Sequence, residues 1–142
     1  VGGNAGMDDK RGYDDHRGAA ADASPREFAE LWRMIVHHLK DTCDVHNLLY
    51  AISPDRSAIS LVDGRFAGEY LQGYPGDDMV DIMGLDDYID VGREDNSGSP
   101  EQVFQGFVQS LEELSTIALR HGKLAAMTEV GTPNALAGVE RH

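Results

Sequence analysis

Apolar positions along the chain alternate between helical and extended spacing. Ser24-Pro25-Arg26-Glu27 has the form of a helix start, with Ser at the cap, Pro in the first turn and Glu at the capping-box position. Phe28, Leu31, Trp32, Ile35 and Leu39 follow at helical spacing, which predicts a helix whose apolar stripe faces a sheet. Residues 46–52 are a short apolar run ending in Ser53-Pro54-Asp55, which predicts a buried strand leading into a polar turn. Phe66, Tyr70 and Leu71 fit one face of a short helix, and Tyr74-Pro75-Gly76-Asp77 is a turn signal. Residues 79–85 predict a second strand, ending in Asp86-Asp87-Tyr88, and residues 90–98 read as loop. Ser99-Pro100-Glu101-Gln102 repeats the helix start, with Val103, Phe107, Leu111, Leu114 and Ala118 as apolar face and Gly122 as stop. Residues 124–128 predict a third strand, running into Glu129-Val130-Gly131.

Strands separated by helices imply right-handed crossovers and a parallel sheet, so the expected class is α/β. Near-continuous apolar strands imply cover on both sheet faces. Residues 1–23 are rich in Gly, Asp and Ala without a period and read as a loop or partly disordered arm before a domain of residues 24–142. No internal repeat is evident.

Composition narrows the chemistry. The 142 residues suit one small domain, whereas a complete (β/α)₈ barrel takes roughly 250. A net charge of −13 repels phosphate backbones and anionic membrane surfaces, which argues against nucleic acid as a partner and leaves a neutral ligand such as a sugar open. No apolar run is long enough to predict membrane insertion. The start, Val1-Gly2-Gly3-Asn4, has neither the pattern of a signal peptide nor an initiator Met, as expected of a chain whose beginning is missing or processed. The single cysteine, Cys43, excludes an internal disulfide and reads as a small half-buried residue. His37 and His38 are adjacent on a helix and point roughly 100° apart. Cys43 and His46 have no second ligand pair, and Asp8, Asp9, Asp14 and Asp15 lack the alternating spacing of a calcium loop. No metal site and no cofactor are expected.

In parallel β/α folds, sites form at the carboxyl ends of strands. Here those ends carry Ser53 and Asp55, then Asp86, Asp87 and Tyr88, then Thr128 and Glu129, all directed into one mouth. Carboxylates without a His or Cys cluster suit two chemistries, hard-metal binding through oxygen and glycoside hydrolysis by a carboxyl pair. Spacing alone does not separate them.

Three runs resemble family 26 glycoside hydrolases, the β-mannanase family. Residues 45–56 (VHNLLYAISPDR) resemble its fifth strand. Tyr70-Leu71 and residues 74–88 (YPGDDMVDIMGLDDY) resemble the approach to its sixth strand and that strand itself. Residues 122–131 (GKLAAMTEVG) are similar to its seventh, and the helix with Leu31-Trp32-Arg33 matches its fourth. The likeness covers about residues 24–131 with three motifs in order.

The resemblance implies about three βα units, strands five to seven, of a (β/α)₈ TIM barrel. It implies an endo-acting retaining hydrolase of β-1,4-mannan, with same-family β-glucan or β-1,3-xylan hydrolysis, or a non-catalytic carbohydrate-binding relic, as alternatives. Glu129 falls where the family keeps its nucleophile, Tyr88 where a tyrosine orients that nucleophile, and Asp86 where an aspartate contacts sugar hydroxyls. The family's acid/base is a Glu after His at the end of the fourth strand. No His-Glu pair occurs in this sequence, so the chain by itself is expected to be inactive. Tyr13 is the one residue ahead of the first helix suited to stack on a sugar. A polymeric substrate implies a secreted, periplasmic or cell-surface protein, expected to be monomeric when complete. Asp87 reads as a solvated neighbour of Asp86, Asp77 and Asp78 as loop structure, and His46 and Asn47 as caps at the opposite, stability end of the sheet.

Overall fold

The computed structural model describes residues 23–91 and 98–131. The proposed arm, Tyr13 included, lies outside the described residues apart from Ala23. The elements are α1 (Pro25–His37), β1 (Ala51–Ile52), α2 (Phe66–Tyr70), β2 (Ile82–Asp87), α3 (Pro100–His121) and β3 (Leu124–Val130), with short 3₁₀ turns at Arg56–Ala58, Asp77–Met79 and Ile89–Val91. The three strands form one parallel sheet in the order β1-β2-β3. The predicted alternation of helices and strands is therefore present.

Both long helices begin as their sequences dictate. The Ser24 hydroxyl accepts from the backbone N–H of Glu27, and the Glu27 carboxylate accepts from the Ser24 N–H at 2.8 Å. Ser99 and Gln102 form the same reciprocal pair at α3. Each cap satisfies N–H groups that the helix leaves without partners and contributes about 1 kcal/mol. Gly122 ends α3 at φ +66°, a left-handed conformation that glycine adopts without steric cost.

The core sits on one face of the sheet. Strand alternation turns Ile52, Met83 and Leu85 toward α2 and α3, where they meet Phe66, Tyr70, Leu114, Ile117 and Ala118. Tyr70 is buried in this layer and donates its hydroxyl to the Gly84 carbonyl at 2.9 Å.

Four expectations are corrected. Among the described residues the α1 stripe is only partly covered: Leu31 is 50% exposed and Phe28 and Ile35 are also open, while Trp32 is half-buried against the core and Ala29 and Val36, off the stripe, are buried. Two polar anchors hold the covered side. The Trp32 indole N–H donates to the Met79 carbonyl at 2.9 Å, and Arg33 Nε donates to the Pro75 carbonyl at 2.7 Å. Among the described residues, no strand lies beyond β1 for the stripe to cover.

The first strand is shorter than predicted. Its neighbour Tyr50 gives its N–H to the Asp81 carboxylate at 2.8 Å instead of to a strand carbonyl, and Leu49 is 70% exposed. Among the described residues, cover is present on the helix side of the sheet alone. β3 is the outer strand among the described residues, and its Leu124 is 64% exposed. Finally, Cys43 is exposed rather than half-buried.

Candidate active site

The carboxyl ends of the three strands meet as predicted. A hydrogen-bonded bridge between Asp55 and Asp86 extends the β1–β2 pairing into the loops, and the Asp86 N–H donates to the Pro54 carbonyl at 3.1 Å. Alternation along β2 puts Ile82, Gly84 and Asp86 on the face away from the helices. There the half-buried Asp86 Oδ1 accepts the Ser53 hydroxyl at 2.5 Å and lies 2.9 Å from Thr128 Oγ1. Ser53 and Thr128 also touch each other. One oxygen of Asp86 is thus held by residues from both neighbouring strands, and Oδ2 has no donor among the described residues.

Tyr88 and Glu129 are also brought together. The phenol donates to Glu129 Oε2 at 3.1 Å, from the end of β2 to the end of β3. That bond to the carboxylate, reinforced by the carboxylate's charge, raises the Tyr88 hydroxyl above its ordinary value of 10.0. The phenol therefore remains a donor at neutral pH. Glu129 Oε1 has no donor among the described residues.

A shift of register produces this meeting. Leu85 pairs with Met127, but Asp86 pairs with Glu129, so Thr128 is an extra residue on β3. In an unbroken ladder Asp86 would face Thr128, and Glu129 would lie one residue further along. A bulge re-aims the side chains that follow it. Here it sets Glu129 level with Asp86 and within reach of Tyr88.

Two glycines make room. A Cβ on Gly84 would lie 2.7 Å from Thr128 Cγ2 and 2.9 Å from the Ile52 carbonyl oxygen, so only glycine lets Thr128 cross to Asp86. A Cβ on Gly131 would stand 3.0 Å from Tyr88 Cε1, against the edge of the phenol ring. Sequence reasoning assigned neither glycine to the site. The signal for Gly84 was a glycine inside an otherwise apolar strand, the mark of a close approach.

The expectation that Asp87 is a solvated neighbour is overturned: it is 0% exposed. Alternation puts it on the helix side with Met83 and Leu85. Its Oδ1 accepts the Asp90 N–H at 2.9 Å and its Oδ2 lies 3.4 Å from Ser110 Oγ on α3. Asp77 is structural, as expected, since it accepts the Tyr74 hydroxyl and binds His121 Nδ1, each at 2.8 Å, at the amino end of the sheet. Among the described residues no group of three or more His, Cys, Asp or Glu side chains could hold a metal ion. Nor, among them, is any helix long and apolar enough to cross a membrane.

A parallel sheet with helices on one face, and acidic side chains at the carboxyl ends of its strands, is the arrangement of an α/β protein whose site lies at that end of the sheet. Comparison with known proteins agrees. The sequence model of glycosyl hydrolase family 26 matches residues 11–132. A mannan endo-1,4-β-mannosidase of Bifidobacterium adolescentis is 39% identical over 115 residues, 79% of this chain and 10% of that protein. Among solved structures, the GH26C protein of a Muricauda species superposes with a TM-score of 0.67 at 34% identity, over 86% of this chain and 30% of that one. The catalytic domain of a Bacillus endo-β-1,4-mannanase gives 0.64 at 38% identity, over 79% and 26%. The chain belongs to glycosyl hydrolase family 26, and its strands and helices are part of a (β/α)₈ barrel. It spans about a tenth of the length of the curated relative.

Proposed function

We propose that these residues belong to an endo-acting retaining hydrolase of β-1,4-mannan, with Glu129 as nucleophile, Tyr88 as the donor that orients it and Asp86 as a contact to sugar hydroxyls. The observation that carries this reading is the Tyr88–Glu129 hydrogen bond at the ends of two neighbouring parallel strands. A carboxylate that attacks an anomeric carbon needs one oxygen held and the other open to the substrate. Tyr88 holds Oε2 and leaves Oε1. Asp86 repeats the arrangement, with Oδ1 held by Ser53 and Oδ2 left for a hydroxyl.

In the reaction, Glu129 would form a bond to the anomeric carbon as the glycosidic oxygen leaves. A second carboxyl group about 5–5.5 Å away would protonate that oxygen, then take a proton from the water that releases the sugar. The family resemblance assigns this second group to the Glu at the end of the strand before α1. Relatives named for mannan hydrolysis support the choice of polymer. An intact polysaccharide does not enter a cell, so a secreted, periplasmic or cell-surface site of action is part of the proposal, as is a monomeric state.

Glu129→Ala in the catalytic protein tests the assignment. Turnover, read as loss of viscosity of a mannan solution, should fall by about 10⁴-fold or more, with circular dichroism unchanged. Hydrolysis at the parental rate would remove Glu129 from the mechanism. Viscosity loss on β-glucan or β-1,3-xylan but not on mannan would correct the substrate, and sugar binding without hydrolysis in the parent would leave only a binding role.

A further inference from the structure

Tyr88 is a half-buried side chain whose one described hydrogen bond spans two strand ends. Its position depends on the backbone around it, and that backbone is fixed from below. Asp87, immediately before it, turns away from the mouth into the helix layer and accepts the N–H of Asp90 at 2.9 Å. This closes the 3₁₀ turn Ile89–Val91 directly after Tyr88. Asp90 is itself buried, and its Oδ2 lies 3.0 Å from Arg56 Nε.

Arg56 stands in the turn after β1, where its Nη1 also donates to the Ile59 carbonyl. The geometry between Arg56 Nε and Asp90 Oδ2 is that of a close ion contact without an aligned hydrogen bond. Burial pushes the Asp90 carboxyl above the ordinary carboxylate range, the charge of Arg56 pulls it back, and Asp87 adds to the rise.

The third wall is α3. Gly106 lies in the interior of a 22-residue helix, where glycine costs roughly 1 kcal/mol relative to alanine. A Cβ there would come 3.1 Å from Asp90 Oδ1. The bare backbone thus lets the carboxylate seat against the helix, while Ser110, one turn on, faces Asp87.

We propose that Asp87, Asp90 and Arg56 form a buried brace, seated on Gly106 of α3, whose function is to position Tyr88 against Glu129. They are positioning residues, since none touches the mouth. The inference deepens the hydrolase reading and rests on it for its catalytic consequence, but the brace itself is a property of the Tyr88–Glu129 contact and can be read without turnover.

The test uses the intact protein that carries these residues, labelled with ¹³C at the tyrosine Cζ carbons. Tyr88→Phe identifies the Tyr88 signal, and its titration reports the bond to Glu129. Asp87→Ala removes the acceptor that closes the turn, and Asp87→Asn restores a side-chain oxygen for the Asp90 N–H. Leu114→Ala, in the same helix but away from the turn, serves as a control for lost stability. In Asp87→Ala the Tyr88 titration should fall back toward its ordinary value of 10.0, and kcat should drop by up to about 100-fold at nearly constant KM, as expected of a misplaced catalytic contact. Asp87→Asn should recover most of both, and Leu114→Ala should leave the Tyr88 titration where it was.

An unchanged titration in a folded Asp87→Ala variant, or an equal change in Leu114→Ala, would overturn the brace. If Asp87→Ala does not fold, Gly106→Ala decides the matter. It favours the helix yet crowds Asp90, so a shifted Tyr88 titration at undiminished stability supports the brace, and no shift refutes it. A Tyr88 shift in a parent that cleaves no glycan would keep the brace and overturn the hydrolase reading, whereas full activity with no shift would do the reverse.

Discussion

Two tyrosine–carboxylate pairs stand at opposite ends of this sheet. At the amino end, Tyr74 donates to Asp77 at 2.8 Å; at the carboxyl end, Tyr88 donates to Glu129 at 3.1 Å. Their surroundings differ. Asp77 also binds His121 at the foot of α3, and its carbonyl accepts from Lys123, so that residue ties the loop before β2 to the start of β3. Glu129 has Tyr88 alone among the described residues. The same phenol–carboxylate bond is one of several ties at the amino end, where His121 shares Asp77 Oδ1 with Tyr74 and Lys123 holds the Asp77 carbonyl, and stands by itself among the described residues at the carboxyl end.

The contrast can be broken from either side. The largest effect is expected at the open pair. Tyr88→Phe keeps the ring that rests against Gly131 and removes only the donor. In the catalytic protein it should lower kcat by about 100-fold while leaving the melting midpoint within a degree or so. A large fall in melting temperature without a fall in kcat would reverse the assignment of the two ends.

Asp77→Ala should do the opposite. It releases Tyr74 and His121 and should lower the midpoint by a few degrees, with kcat unchanged. Loss of activity at constant stability would mean that the clasp reaches the chemistry.

The smallest effect is a change of slope with pH. Hydrogen bonds from His121, then from Tyr74, hold the Asp77 carboxyl below its ordinary value of 3.8. A depressed carboxyl contributes stability above its unfolded value and loses it as pH falls through the folded one. As pH falls below about 4, chemical denaturation of Asp77→Asn should therefore show a shallower loss of stability than the parent. Tyr88, raised rather than lowered, contributes below about pH 10 and loses that contribution only on the alkaline side. Parallel acid slopes for Asp77→Asn and the parent would show that the clasp contributes nothing to acid stability.

Much of the fold was legible. The two Ser-Pro starts, Gly122 and the order of helices and strands follow from local rules, because caps and stops are satisfied by residues three or four positions apart. The chemical cast at the strand ends was legible as well. Asp86 and Asp87 show where that legibility stops. They are adjacent and identical in chemistry, yet one faces the mouth and the other lies fully buried beneath α3. Period-two alternation from Met83 and Leu85 carried the information, but polarity alone suggested water for both. The α1 stripe failed for a different reason. Its helical spacing was real, but Phe28, Leu31 and Ile35 have little to cover among the described residues, while Trp32 and Arg33 are held by the carbonyls of Met79 and Pro75, more than forty residues away.

By itself, then, the amino-acid sequence determined which elements form, in what order, and which side chains stand at the strand ends, since these depend on neighbours along the chain. Tertiary structure alone decided the anchoring of α1 on the Met79 and Pro75 carbonyls, the burial of Asp87 and Asp90 with Arg56, and the extra residue at Thr128 that aligns Glu129 with Asp86. Those outcomes depend on which backbone groups of other strands and loops lie within hydrogen-bonding distance, and that is settled only when the sheet has closed against its helices.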